Sequence, residues 1–86
     1  MPVLSRFLGL LIKMEYLDHP PPHFHVYQGK KKLASINIKK LELLVGKLPR
    51  PQLAAVLAWA HMHQRELLAA WDRTSTGQDP GMIRPL

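Results

Sequence analysis

Apolar and polar residues alternate along the first half of the chain and recur at helical spacing along the second. Between Phe7 and Leu17, Leu8, Leu10, Ile12, Met14 and Tyr16 fall on one side, with Phe7, Leu11, Lys13 and Glu15 on the other. A period of two predicts a strand with one buried face. A second strand is expected from His23 to Gln28, with Phe24 and Val26 on one face and His23, His25 and Tyr27 on the other. Gly29-Lys30-Lys31 signals a turn. A third strand follows from Leu33 to Ile38, with Ala34, Ile36 and Ile38 inward and Ser35 and Asn37 outward. Leu43-Leu44-Val45 suggests a short fourth strand, ended by Gly46.

Pro49-Arg50-Pro51 opens a helix, because proline is well tolerated in a first helical turn. Beyond it, Leu53, Val56, Leu57, Ala60, Leu67, Leu68 and Trp71 gather on one stripe, with Gln64 in its middle. Ala55, Ala58, Trp59 and Met62 lie behind that stripe, where a monomer would show charge. Two readings follow. Either Ala55, Trp59 and Met62 form an interface for a homodimer or a partner, or the tail carrying Met82, Ile83 and Leu86 folds back over them. The expected architecture is α+β: a small antiparallel β-sheet of three to four strands packed against one long C-terminal helix. A single domain over residues 1–76 is followed by an irregular tail over 77–86, marked by Gly77, Pro80, Gly81 and Pro85.

Composition narrows the function. Eighty-six residues, 47% of them apolar and 21% charged, suit one small globular domain rather than a disordered chain. The absence of cysteine excludes disulfides, thiolate metal sites and cysteine nucleophiles. The N-terminal apolar run is interrupted at Lys13 without a small-residue cleavage site, and nothing approaches the length of a membrane span. A soluble, cytoplasmic protein is expected. A net charge of +6 points to a polyanion such as RNA or DNA, or to an acidic protein partner. The clearest basic run, Lys30-Lys31-Lys32, is the candidate nucleic-acid contact.

Chemistry concentrates in Asp18-His19-Pro20-Pro21-Pro22-His23-Phe24-His25, which holds three of the five histidines. Imidazole titrates near neutrality and is a common metal ligand. Strand parity puts His23 and His25 on one face, about 7 Å apart by the rise per residue. Tyr27 extends that row, and Asp18 and His19 precede it. His23, His25, Asp18 and Tyr27 are therefore candidate acid–base groups, and His19, His23 and His25 candidate metal ligands. The plainer alternative is a structural loop whose histidines bond backbone carbonyls. His61 and His63, about 200° apart on a helix, cannot act together.

Met1-Pro2, Ser5-Arg6-Phe7 and the string Asp18-His19-x-Pro21-Pro22-His23-Phe24-His25 resemble a prokaryotic family, the domain of unknown function numbered four-one-six-zero. Ala34-Ser35-Ile36, Leu48-Pro49-Arg50 and Trp59-Ala60-x-x-His63-x-x-Glu66-Leu67 continue the likeness as far as about Trp71. The chain departs from the family pattern at Pro20, where asparagine is commoner, and at Lys30–Lys32, where acidic or small residues are. The resemblance implies a stand-alone bacterial domain, often encoded beside another small domain of unknown function, numbered two-four-four-two. That arrangement resembles a toxin–antitoxin pair. The leading expectation is a binding module acting on that partner and on nucleic acid. A metal-independent ribonuclease and a divalent-metal-binding protein are the alternatives. The residues do not name a cofactor.

Overall fold

The computed structural model describes residues 1–86. Five strands precede two helices: β1 (Val3–Phe7), β2 (Leu10–Lys13), β3 (His23–Gln28), β4 (Lys31–Asn37), β5 (Glu42–Gly46), α1 (Arg50–Met62) and α2 (Gln64–Ser75). The strands form one antiparallel meander in the order β1-β2-β3-β4-β5. The class is α+β, with five strands in place of three or four and two helices in place of one.

Both differences have local causes. Phe7 pairs with Leu10 across a two-residue turn, in which Leu8 and Gly9 adopt φ of 52° and 70°. Two consecutive left-handed residues match the twist of a tight hairpin, so the expected single strand becomes β1 and β2. Parity inverts there: Phe7 turns inward beside Leu10 and Ile12, while Leu8 is exposed; Tyr16, expected inward, lies beyond the end of β2 and is exposed as well. In the second half, His63 takes a non-helical φ of −114°, caps α1 and begins α2. Its Nδ1 lies 2.7 Å from Glu66 Oε1, in the first turn of α2, where a carboxylate also suits the helix dipole.

The core lies between the sheet and the helices. Phe24, Val26, Ile36 and Ile38 meet Val56, Trp59 and Ala60 of α1 and Leu67, Ala70 and Trp71 of α2. Gln64, the polar residue inside the apolar stripe, donates to the Ile38 and Lys39 carbonyls at 2.9 and 3.2 Å.

The expected interface on the back of the helix is corrected by the structure. Trp59 is fully buried, 5.1 Å from the Phe7 ring and 5.8 Å from the Phe24 ring. Its Nε1 donates to the Arg84 carbonyl at 2.9 Å. The tail has neither helix nor strand, yet Ile83 is buried and donates its N–H to the Leu4 carbonyl at 2.7 Å. Trp59 therefore lies on the sheet-facing side of α1 with Val56 and Ala60, and the tail covers only the edge of its indole. Met62 is exposed and Ala55 half-buried, so without the tryptophan no anchored patch remains there.

Candidate metal centre

His23 and His25 are two apart in β3 and project from the sheet face opposite Phe24 and Val26. Their rings meet edge-on at 5.0 Å between centroids. Strand register sets Ser35 of β4 directly opposite His25. The connection between β2 and β3 then folds over this face. Leu17 adopts a left-handed φ of 55°, and its N–H donates to the Thr74 carbonyl at 2.9 Å. Backbone in this region is uncommon for a leucine and persists only where the surroundings impose it. Here it delivers Asp18 onto the two rings.

Asp18 Oδ2 lies 2.9 Å from His23 Nε2 and 3.4 Å from His25 Nε2. The opposite nitrogen of each ring is held from behind. His23 Nδ1 sits 2.7 Å from the Pro21 carbonyl oxygen, and His25 Nδ1 sits 2.8 Å from Ser35 Oγ. A carbonyl only accepts, so His23 Nδ1 carries a proton. Its Nε2 then either donates to Asp18 or directs a lone pair at a cation shared with that carboxylate. His25 can adopt the same tautomer by donating from Nδ1 to Ser35. The His23 ring also packs against the Trp71 ring of α2, with 5.1 Å between centroids.

Electrostatics favour a charged carboxylate beside a neutral His25. Partial burial pushes the Asp18 carboxyl upward, but the His19 backbone N–H, the His23 charge and the His25 ring outweigh it and leave it below 3.8. Burial pushes His25 below 6.5; Lys32 and His23 add to this, against opposing contributions from Asp18 and Glu15. Both shifts have the same consequence in acid. Between 6.5 and its lower folded value, His25 takes up a proton in the unfolded chain before the folded one, so stability falls as pH falls. Asp18 contributes stability above 3.8 that is lost as pH drops through its depressed folded value. Melting temperature measured in chelator is therefore expected to decline below pH 6.5, and His25→Gln to flatten that first decline.

The cluster opens into a concavity of about 330 Å³, rimmed by Glu15, His19, Lys32, Leu44 and Val45. A larger hollow of about 450 Å³ at the α1–α2 turn is walled by consecutive residues, from His61 to Glu66. There His63 is already engaged by Glu66, so the hollow offers no comparable convergence.

The structure brings Asp18, His23 and His25 together; their ligand atoms all lie within 4.8 Å of one another. His19, expected as a ligand, stands outside that group with its side chain 83% exposed, touching the other oxygen of Asp18 at 3.1 Å. Tyr27 is not drawn in either: its ring carries Lys13 Nζ at 4.5 Å. Lys30, Lys31 and Lys32 are exposed, and only Lys32 reaches the rim of the concavity. Ser35 was legible as an outward residue of its strand, but its hold on His25 emerges only from the register.

An antiparallel meander backed by two helices, with two histidines and one carboxylate gathered on its outer face, defines the class of domain. The chain belongs to the DUF4160 family, a domain of unknown function, whose family model matches residues 9–72. No curated protein and no solved structure matches the chain. No helix is long and apolar enough to cross a membrane.

Proposed function

We propose that this protein binds a first-row divalent metal ion through Asp18, His23 and His25. The observation that carries the reading is the aim of the two rings. Both Nε2 atoms converge on one carboxylate oxygen, while both Nδ1 atoms are held by oxygens behind them. Metal-ligating histidines characteristically donate their other nitrogen in this way, which fixes the tautomer and the ring orientation. Two imidazoles and one carboxylate suit zinc, iron, cobalt or nickel, and leave positions open to water or an anion. Asp18, His23 and His25 line the concavity together with Lys32, which would supply a positive charge beside an ion held there.

The geometry favours this reading over a metal-independent ribonuclease. General acid and base should flank a phosphodiester from two sides. Here both rings aim their Nε2 atoms at a single carboxylate oxygen instead of flanking a gap.

Tag-free protein stripped by chelator and titrated with Zn²⁺ is expected to take up a single equivalent and to gain thermal stability. His23→Gln should lose that uptake while its circular dichroism stays folded. Absence of stoichiometric uptake by the parent protein, or undiminished uptake by the variant, refutes the site.

The basic turn supports a separate proposal, contact with a polyanion. Replacing Lys30, Lys31 and Lys32 by glutamine is expected to weaken binding of single-stranded RNA and to flatten its salt dependence. Unchanged affinity would reduce these lysines to a solubility role. Membership of a toxin–antitoxin-like pair rests on the family resemblance and the net charge. Inducible expression with and without the neighbouring reading frame tests it: growth must differ between the two.

A further inference from the structure

The two edges of the sheet are treated differently. Along β1, the C-terminal tail lies against the strand, with Ile83 N–H donating to the Leu4 carbonyl. Along β5, every residue from Glu42 to Gly46 is exposed and no strand lies beyond it. Its backbone bonds inward to β4, and none of the turn, loop or cap hydrogen bonds reaches it. The strand is also apolar: Leu43, Leu44 and Val45 are 38%, 41% and 62% exposed. Edge strands are ordinarily protected by charge, proline or a covering segment, because their free N–H and C=O groups template further pairing. β5 carries one charge, Glu42, and a bulge at Leu44 as its only devices. The bulge adds twist and discourages indiscriminate stacking without closing the edge.

We infer that β5 is a docking edge for an extended, acidic-flanked strand of a partner protein. The charge around the strand selects this occupant. Lys39 and Lys40 precede β5, Lys47 and Arg50 follow it, and all four are exposed. A strand added antiparallel to β5 extends the ladder through its backbone, sets small apolar side chains against Leu43 to Val45, and meets cations at both ends. A second copy of this chain is disfavoured: antiparallel self-pairing brings Lys39 and Lys40 of one copy toward Lys47 of the other, and each copy carries +6. Leu44 and Val45 also wall the concavity beside His23 and His25, so a docked strand borders that site. The inference goes beyond the metal reading and requires no metal.

The test uses the full chain in chelator, so that failure of the metal reading does not affect it. The probes are two synthetic strands of alternating valine and threonine, one flanked by aspartates and the other by lysines. The aspartate-flanked strand is expected to bind at least about tenfold more tightly and to slow amide hydrogen exchange in residues 42–46. Leu44→Lys should abolish both effects while the chain remains folded. Equal affinity for the two strands, no binding, or exchange slowed elsewhere overturns the inference. So does displacement of the aspartate-flanked strand from β5 by single-stranded RNA, which would make the edge a nucleic-acid surface. Sedimentation as a dimer that reverts to monomer with Leu44→Lys would instead assign β5 to a second copy.

Discussion

Trp59→Ala is expected to destabilise the folded chain by about 3–5 kcal/mol, the usual cost of emptying a large buried aromatic site. Trp59 is fully buried, and Phe7, Phe24 and His63 all stand against its ring. The change removes packing from strands and helix at once and frees the Arg84 carbonyl from its hydrogen bond. Domains of this size have little stability to lose, on the order of 5–15 kcal/mol in total. Urea unfolding followed by circular dichroism measures the loss. Trp59→Phe should cost less, because a ring remains and only the indole hydrogen bond and part of the volume are removed. A Trp59→Ala midpoint equal to that of the parent protein would contradict this description of the core.

Asp18→Asn is expected to lower Zn²⁺ affinity by at least about 100-fold, beyond the 10–100-fold that a supporting partner typically contributes. The substitution keeps the size of the side chain and removes the charge on which the two Nε2 atoms converge. Ser35→Ala makes the informative contrast. Ser35 touches His25 from behind at 2.8 Å, so its loss should fall within about 10–100-fold and leave stoichiometry intact. Isothermal titration at neutral pH distinguishes the two. Equal, small effects from both variants would mean that Asp18 serves only to hold its loop.

The middle of the sheet was readable from alternation, since Phe24, Val26, Ala34 and Ile36 all lie inward as their parity requires. The β1–β2 hairpin was not readable, because a leucine occupies a left-handed position that no propensity assigns to it. Nor was the helix break: Ala60 and Leu67 are seven residues apart, so the apolar stripe stays in phase across His63. Only the spacing of His63 and Glu66 marks the new start. The place of Trp59 was not readable either: the buried side of α1 is Val56, Trp59 and Ala60, rotated from the stripe through Leu53 and Leu57, so the indole faces Phe7 and Phe24 of the sheet. At the cluster, the common face of His23 and His25 followed from strand parity. Its place just before the histidines makes Asp18 a candidate too, but its convergence on both rings depends on the turn at Leu17 and on that residue's bond to Thr74 in α2.

The family match covers residues 9–72, but the tertiary structure does not stop at those limits. β1 lies before them, and the tail that pairs with it and accepts from Trp59 lies after them. An excised fragment with those boundaries would lose Leu4, Phe7 and Ile83 from the core and would bare the flank of β2. Such a fragment would have two raw edges instead of one and an indole open to water. Its self-association would report the cut rather than the native protein. For the same reason, a rigid fusion placed close after Leu86 would press on the segment that shields Trp59, whereas one joined through a flexible spacer would leave that shield in place.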